Sequence, residues 1–328
     1  MRKQGNIKII ILGHSNVGKT SIAKYLKYLN RALALDTEPS TRIEKYTLNA
    51  LRTSISIFVT PGQKRFRRKN REFLYEIIDS NTIIYYVIDA SAETSRLKLM
   101  IKDYMNLVLS VDKLMKNRTL KGIAIALLVH KQDLPQAIDG EKIFGEFISK
   151  LRQRTSGIGL YVFNTSIYWP ETLLRVLRET VFSKIFPMDS LNSIIGTIKQ
   201  ITGSEIVVIS DTMGFPIAVH GDSPLATWLS VFPAKIMTSL DQERNMMREY
   251  QKDLWVNIFN AKENENTSID MILETPNGNK IYFHMMDVNG NFLCLSLFNP
   301  KNSLNIVRET AKNFTEKIYN LFNITQGF

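Results

Sequence analysis

The stretch that most constrains the fold of this chain is Ile7–Ser21, which reads IKIIILGHSNVGKTS. An aliphatic run stops at Gly13, four residues separate it from Gly18, and Lys19 and Thr20 follow directly. Apolar residues at helical spacing come next. A strand, a glycine-bounded loop and a helix in this order are typical of a phosphate-binding loop, whose backbone N–H groups and helix N-terminus bind a polyphosphate. The alternative is a chance match in a glycine-containing turn, which leaves the flanking strand and helix unexplained.

The side chains of this loop have distinct expected roles. Lys19 is predicted to reach the β- and γ-phosphates of a nucleotide, and the Thr20 hydroxyl is predicted to hold Mg²⁺. The residues of this segment that we predict to bind nucleotide are Gly13, His14, Ser15, Asn16, Val17, Gly18, Lys19, Thr20 and Ser21.

Charge is divided unevenly along the chain and indicates two domains. Residues 1–187 carry 31 Lys and Arg against 16 Asp and Glu, whereas residues 188–328 carry 11 against 15. The net charges are therefore +15 and −4, which together give the +11 of the whole chain. A change of this size predicts a domain boundary after residue 187 and two units with different partners.

Several classes of protein are not expected from the composition. No apolar run approaches the roughly 18 residues that a membrane helix needs, and the first residues lack the apolar segment of a secretory signal. A single cysteine, Cys294, excludes an internal disulfide framework and fits a reducing compartment. We therefore expect a cytoplasmic protein, which reaches membranes peripherally and through its partners if at all.

The order of predicted elements differs between the two halves. Strands and helices alternate through residue 186, which predicts an α/β fold with a doubly wound sheet and a ligand at the carboxyl edge of its strands. After Pro187 we predict a helix, a hairpin, a long helix over about Pro224–Lys262, three more strands and a last helix. Turn residues of hairpin type between these strands predict an α+β domain with an antiparallel meander.

A second motif, Val59–Gln63, ends the third predicted strand. It resembles the D-x-x-G-Q turn of the Ras-like GTPase superfamily, in which the glycine N–H contacts the γ-phosphate and the glutamine orients the attacking water. Gly62 and Gln63 match this pattern, so Gln63 is the candidate catalytic residue. Val59 replaces the aspartate that supports Mg²⁺ in the family, and this predicts weakened Mg²⁺ binding and slow hydrolysis. The alternative is an ordinary turn.

The loop that senses the γ-phosphate in such GTPases is expected between residues 36 and 42. Thr41 and Thr37 are the candidates, and the strand predicted after Arg42 favours Thr41 as a ligand of nucleotide and Mg²⁺. The alternative is an ordinary loop rich in Ser and Thr.

Two further motifs follow predicted strands and point to the base. His130-Lys131-Gln132-Asp133 resembles the N-K-x-D motif of GTPases, in which the aspartate accepts hydrogen bonds from guanine N1 and N2. The resemblance gives His130, Lys131 and Asp133 roles in nucleotide binding, although a charged loop is the plain alternative. Ser166 and Ile167 occupy the loop that reads guanine O6 in the family.

The segment Lys64–Arg71, which reads KRFRRKNR, follows Gln63 directly. Three interpretations stay open: a solvated helix face, a surface for an acidic protein, or a surface for anionic lipid. Nucleic acid is not expected, since no stacking platform or nucleic-acid-binding motif accompanies the charge.

H-K-x-D in place of N-K-x-D makes the chain similar to the Rag/Gtr GTPases, whose members join a GTPase domain to a C-terminal roadblock-type domain. The supporting stretches are Leu127–Leu134, Asn164–Tyr168 and Glu171–Leu173, while Gln132–Pro135 is also similar to Arf-like proteins. The resemblance implies a Ras-like P-loop GTPase domain over residues 1–187 that binds GTP or GDP. It also implies a roadblock/longin-like α+β domain over residues 188–328 that forms homodimers or heterodimers.

Two functions are compatible with these residues. The first is a guanine-nucleotide switch with slow GTP hydrolysis that recruits signalling or trafficking partners. Ser15 supports slow turnover, because its side chain would crowd Gln63 and the attacking water where Ras has glycine. The second is a non-hydrolysing pseudo-GTPase scaffold that acts through roadblock-mediated assembly, and Val59 motivates it.

Overall fold

The structure is a computed structural model, which describes residues 6–50, 53–155, 157–221, 224–247, 269–288 and 291–326. These residues fall in two compact units. The N-terminal unit lies within Lys3–Asn49 and Thr53–Val181, and the C-terminal unit lies within Phe182–Phe328 and also includes Ala50. The division precedes Phe182, a few residues before the boundary that the charge distribution predicts.

A six-stranded sheet forms the centre of the N-terminal unit. Its strands, in chain order, are β1 (Ile7–Gly13), β2 (Glu44–Ala50), β3 (Thr53–Val59), β4 (Thr82–Asp89), β5 (Ala124–His130) and β6 (Gly159–Thr165). Their order across the sheet is β2-β3-β1-β4-β5-β6. The strands from β3 to β6 are all parallel, so their carboxyl ends lie at one edge. This confirms the predicted α/β fold with a parallel sheet.

Helices connect these strands. They are α1 (Lys19–Tyr28), α2 (Arg31–Leu35), α3 (Arg67–Ile77), α4 (Thr94–Arg118), α5 (Gly140–Arg154) and α6 (Pro170–Leu177). A single 3-10 turn, Lys64–Phe66, precedes α3. Asn30 begins α2 because its side-chain oxygen accepts hydrogen bonds from the N–H groups of Ala32 and Leu33. The sequence prediction did not include this short helix.

Strands β4 and β5 are buried along their whole length, as parallel strands covered on both faces usually are. Burying one aliphatic side chain of this kind contributes about 1.5–3 kcal/mol. The hydroxyl of Tyr85 in β4 lies 2.8 Å from that of Thr180, so this buried polar group is satisfied. The central strands therefore hold the loops at their carboxyl ends on a rigid base.

The chain after α6 does not continue as a regular α-helix. It passes through a wide turn of π type, Arg178–Phe182, and a short helix, α7 (Ser183–Ile185). The side-chain hydroxyl of Thr180 donates to the Val176 carbonyl at this turn. Such local widening within a helix is the usual form in which π geometry occurs.

The C-terminal unit contains a five-stranded antiparallel sheet of order β8-β7-β11-β10-β9. Its strands are β7 (Ile206–Asp211), β8 (Pro216–His220), β9 (Ile269–Glu274), β10 (Lys280–Val288) and β11 (Asn291–Phe298), and its helices are α8 (Met188–Thr202), α9 (Pro224–Met247) and α10 (Leu304–Gln326). Trp228 and Phe232 of α9 stack on each other and pack against Phe283 of β10. A second domain of sheet and helices is therefore present, as predicted. The part of the predicted long helix beyond Met247 lies outside the described residues.

Among the described residues, every helix is too short or too polar to span a bilayer.

Candidate nucleotide-binding site

The phosphate loop closes between the end of β1 and the start of α1. Gly13 and Gly18 have φ angles of 143° and 92°, which other residues rarely adopt. A Cβ at Gly13 would lie 2.3 Å from the Val87 carbonyl oxygen, and one at Gly18 would lie 2.6 Å from a ring carbon of His130. Both positions therefore require glycine, for backbone conformation and for space.

Lys19 lies under this loop and is buried. Its Nζ donates a hydrogen bond to the His14 carbonyl at 2.6 Å. Burial lowers the pKa of Lys19 to about 8, because removal from water disfavours the charged ammonium. A polyphosphate in the loop would supply the negative charge that this buried ammonium needs.

The turn after β3 meets the same loop. A Cβ at Gly62 would lie 2.4 Å from the His14 carbonyl oxygen and 2.5 Å from Lys19 Nζ, so the turn approaches the loop at backbone distance. Thr60 anchors the turn, since its hydroxyl and its N–H both lie 3.1 Å from the carbonyl oxygen of Ile11, which they share as acceptor. Gln63 follows, and it is half-buried.

One cavity of about 130 Å³ lies between the phosphate loop, the segment before β2 and the turn after β3. Its lining residues are Ser15, Asn16, Val17, Gly18, Lys19, Thr20, Ser21, Thr37, Glu38, Pro39, Ser40, Thr60, Gly62 and Gln63. Most of the residues predicted to bind phosphate are thus gathered around one space, with the candidate catalytic residue among them. Gly13 and His14 line a neighbouring cavity of about 150 Å³.

Thr41, which was predicted to bind nucleotide and Mg²⁺, is exposed and does not line the phosphate cavity. The hydroxyl beside Thr20 belongs to Ser40, whose Oγ lies 3.1 Å from Thr20 Oγ1. Sequence reasoning preferred Thr41 for its position next to the following strand. In the structure Ser40, rather than Thr41, lines the cavity, and Thr37 lines it as well.

The residues around Thr20 fit a magnesium ion. Mg²⁺ prefers hard oxygen ligands and is usually held by few protein groups together with phosphates and water. The hydroxyls of Thr20 and Ser40 are such ligands, and no group of three or more His, Cys, Asp or Glu side chains in the described residues could form an all-protein cage. Val59 is fully buried and contributes no ligand atom at the end of β3.

The motif His130–Asp133 begins at the end of β5. His130 is buried, its Nδ1 lies 3.0 Å from Thr165 Oγ1, and its ring packs against Gly18 of the phosphate loop. Burial lowers the pKa of His130 to about 4, and the charge of Lys131 adds to this effect, so the ring is neutral near pH 7. His130, which stands where the N-K-x-D motif has asparagine, thus links the loop after β5 to the phosphate loop.

Lys131 has a φ of 69°, and its Nζ lies 2.7 Å from Asp89 Oδ2. Asp89 is buried at the end of β4, where burial alone would raise its pKa, but hydrogen bonds from Lys131 and Ser91 hold the pKa below its ordinary value. Asp89 was not among the residues predicted from the sequence. Its signal is a lone carboxylate at the end of an otherwise apolar strand.

Asp133 and Ser166, two of the predicted base-binding residues, are hydrogen-bonded to each other. The Ser166 hydroxyl donates a hydrogen bond to Asp133 Oδ1 and accepts one from the N–H of Tyr168 at 2.9 Å. Ile167 is buried beside them, and Asn164 fixes the two loops by accepting from the Gln132 side chain at 3.1 Å. The predicted base-binding residues therefore meet at the carboxyl ends of β5 and β6.

Comparison with known proteins gives one family. The model of the Gtr1/RagA G protein conserved region matches residues 8–224. ADP-ribosylation factor-like protein 3 of Chlamydomonas reinhardtii is 27% identical over 142 residues, which cover 43% of this chain and 72% of that protein.

Two solved structures are also similar. The Arl6 (BBS3) small GTPase of Trypanosoma brucei, solved with a bound nucleotide analogue, has a TM-score of 0.39 at 17% identity and covers 54% of this chain and 99% of its own. The mammalian SRP receptor has a TM-score of 0.38 at 15% identity, with 49% and 92% covered. At these TM-scores the assignment rests on the family model, which matches well over half of the chain. The chain belongs to the Gtr1/RagA family of small GTP-binding proteins.

Proposed function

We propose that this protein is a guanine-nucleotide switch that hydrolyses GTP slowly and assembles through residues 188–328. The observation that carries the proposal is the phosphate cavity, in which Gly62 and Gln63 lie with Lys19 and Thr20. A glutamine in this position orients the attacking water in Ras-like GTPases. Gln63 is the catalytic residue of the proposal.

The other residues of the site bind and orient the nucleotide. The N–H groups of the phosphate loop and the ammonium of Lys19 balance the phosphate charge. Asp133 accepts from the N1 and N2 donors of guanine, a pattern that adenine lacks, and this discriminates between the two bases. Mg²⁺ would neutralise charge on the bound phosphates. Thr20 and Ser40 are the hydroxyls that would hold it.

We attribute slow hydrolysis to two residues, Ser15 and Val59. Ser15 lines the cavity with Gln63, and its side chain competes for the space that the attacking water needs. Val59 leaves the metal without the aspartate that Ras-like proteins place there, so the charge of the transition state is balanced less well. A displacement of about 1 Å of a reacting group can cost about 100-fold in rate, so crowding of this kind is sufficient to slow turnover.

The switch would act through the two segments that line the cavity opposite the phosphate loop. Residues 37–40 and the turn at Gly62 both line the phosphate cavity, in which the proposal places the γ-phosphate. Loss of that phosphate removes contacts from both segments at once, which is how GTPase loops relax after hydrolysis.

Single-turnover hydrolysis of GTP with Mg²⁺ tests the proposal. We expect slow formation of GDP by the wild-type chain and none by Gln63→Leu, with GDP affinity equal in the two proteins. Asn106→Leu is the control, because it is a polar-to-leucine change outside the phosphate cavity. Turnover that survives in Gln63→Leu would remove Gln63 from its role, and absence of guanine nucleotide binding would overturn the proposal as a whole.

The C-terminal unit is proposed to be a roadblock-type domain that pairs with a second copy or with a related chain. Strands β8 and β9 are the outermost strands of its sheet, and outer strands present backbone N–H and C=O groups to a partner strand. Sedimentation velocity of the full chain over a range of concentrations tests this. A monomer at every concentration, alone and with a related chain, would contradict it.

The basic segment Lys64–Arg71 is proposed to bind an acidic protein or an anionic membrane surface, which would bring the protein peripherally to membranes. Five of its six basic side chains, all except Arg67, are exposed. Co-sedimentation with vesicles of neutral and of anionic lipid distinguishes the two partners. Binding to neither kind of vesicle would exclude the membrane surface and leave the acidic protein or a solvated helix face.

The second candidate is a non-hydrolysing scaffold, and Val59 is the observation that favours it. In that case the nucleotide is absent or permanently bound, and the C-terminal unit does the work. Release of the nucleotide from purified protein, followed by its identification, separates the two functions. Stoichiometric GTP that persists would favour the scaffold, whereas GDP would favour the slow GTPase.

A further inference from the structure

We propose that Glu44 supplies, through Ser40, the negative charge that Val59 does not supply at the magnesium site. This inference rests on the proposed function, because it concerns how the same nucleotide site retains its metal. It assigns Glu44 as a positioning residue that acts through the Ser40 hydroxyl.

The last residue of β3 has an apolar side chain. Val59 is fully buried and pairs in register with Ile11 of β1, and it does not line the phosphate cavity. Its side chain has neither charge nor a ligand atom. If a cation binds between the nucleotide and this edge of the sheet, the negative charge that the protein offers it must therefore come from another segment.

The second observation is the spacing of two hydroxyls. Thr20 Oγ1 and Ser40 Oγ lie 3.1 Å apart across the cavity. Mg²⁺ takes octahedral geometry with oxygens at 2.0–2.1 Å, so two adjacent ligands are about 3 Å from each other. The loop before β2 and the start of α1 thus already hold two hard ligands at the separation that the ion requires.

The third observation is the group behind Ser40. The Ser40 hydroxyl donates its only proton to Glu44 Oε1, and the Tyr46 hydroxyl donates to Glu44 Oε2 at 2.6 Å. Residues 44 and 46 lie on the same side of β2, and both are half-buried there. The carboxylate is therefore fixed from both oxygens, one of which points at the candidate ligand.

In this arrangement a carboxylate can influence a metal ion through the hydroxyl group that binds the ion. Because Ser40 gives its proton to Glu44, its lone pairs remain available, to Thr20 in this structure or to a cation. A carboxylate that accepts from a ligating group orients that ligand and increases its electron density, and removal of such a partner typically costs 10–100-fold in metal affinity. Glu44 can therefore supply the negative charge that an aspartate at position 59 would supply, although it does so from a different place in the site.

Glu38 is the competing source of charge. It lines the phosphate cavity but is exposed, so water screens its charge more strongly. Glu44 is better shielded and is joined to a candidate ligand by a hydrogen bond. For these reasons the geometry favours Glu44.

The test measures release of a fluorescent GDP from the full chain at increasing Mg²⁺, with an excess of unlabelled GDP. For Glu44→Gln we expect the Mg²⁺ concentration that gives half-maximal slowing to rise about 10–100-fold, with release in excess EDTA equal to that of wild type. Glu146→Gln is the matched control, because it neutralises an exposed glutamate on α5 and should change nothing. The amide keeps the size of the side chain, and thermal unfolding of the metal-free protein checks that the variant folds.

Two further variants keep the test decisive. Val59→Asp in the Glu44→Gln background should restore the wild-type Mg²⁺ dependence, and Tyr46→Phe should shift it in the same direction as Glu44→Gln but less. An unchanged midpoint in Glu44→Gln, or an equal or larger shift in Glu38→Gln, would overturn the inference. Magnesium-dependent GDP release by wild type would leave the proposed function standing in either case, whereas a wild-type chain that binds no guanine nucleotide would overturn both.

Discussion

The imidazole of His14 joins the phosphate loop to α4, because its Nε2 lies 2.8 Å from Oδ2 of Asp103. Arg67, the first residue of α3, places Nη1 3.1 Å from the same carboxylate oxygen and Nη2 3.1 Å from His14 Nε2. Burial lowers the pKa of His14, against the opposing effect of Asp103, so the ring is mainly neutral near pH 7. The ion pair of this cluster is therefore Arg67–Asp103, and it fixes the start of α3 shortly after Gln63.

Asp103→Asn should loosen the start of α3, since the amide offers no charge to Arg67. We expect faster amide hydrogen exchange over residues 64–77 in nucleotide-free protein, and a loss of about 0.5–1 kcal/mol in the free energy of unfolding, because both side chains are partly exposed. Glu72→Gln, which removes an exposed partner of Arg68 on the same helix, is the control. If both variants accelerate amide hydrogen exchange equally, the ion pair between Arg67 and Asp103 does not specifically stabilise the start of α3.

His130 predicts how stability depends on pH. Its pKa is lowered to about 4 in the folded protein, against about 6.5 in the unfolded chain, so the unfolded chain binds more protons between these values. Stability should therefore be complete above about pH 6.5 and fall by about 3 kcal/mol as the pH drops to about 4. Denaturant unfolding of nucleotide-free protein measures this, and His130→Asn should remove most of the slope. An equal slope in the variant would place the effect on other groups.

The features that sequence reasoning predicted are those set by local chemistry. The third strand, Thr53–Val59, ends at the motif that was predicted to end it, because its alternating β-branched residues lead directly into the Thr60–Gln63 turn. The phosphate loop follows from two glycines that local backbone geometry requires. The predicted site residues of this loop, apart from Gly13 and His14, line one cavity for the same reason.

The features that sequence reasoning missed depend on residues far apart in the chain. The pairing of Lys131 with Asp89, and that of His14 with Asp103, join residues more than 40 positions apart. Ser40 lies at the cavity where Thr41 was predicted, because of the direction in which the loop turns before β2. Since both residues carry a hydroxyl group, the sequence does not indicate which of the two faces the cavity. Side-chain pairing across elements is fixed by tertiary packing, which periodicity and motif spacing do not contain.

Lys19 predicts that nucleotide binding takes up a proton. Burial lowers its pKa to about 8, so about half of the side chains are neutral at pH 8, and a polyphosphate raises the pKa again by adding negative charge. Calorimetric titration with GDP at pH 8, in buffers of different ionisation enthalpy, should show uptake of about half a proton per site. Lys19→Arg should abolish the uptake, because arginine stays charged. The same uptake in both proteins would assign the proton to another group.

Ser15 predicts that the hydrolysis rate is limited by space beside Gln63. Ser15→Gly removes the side chain that shares the phosphate cavity with Gln63, and the single-turnover rate of GTP hydrolysis should rise about tenfold as the water gains room. Affinity for GDP should stay nearly constant, since Lys19 and the loop N–H groups still bind the phosphates. Ser193→Ala is the control, because it removes a hydroxyl from an exposed serine of α8 that does not line the phosphate cavity. A rate in Ser15→Gly equal to that of wild type would show that the loss of charge at Val59, rather than crowding, limits hydrolysis.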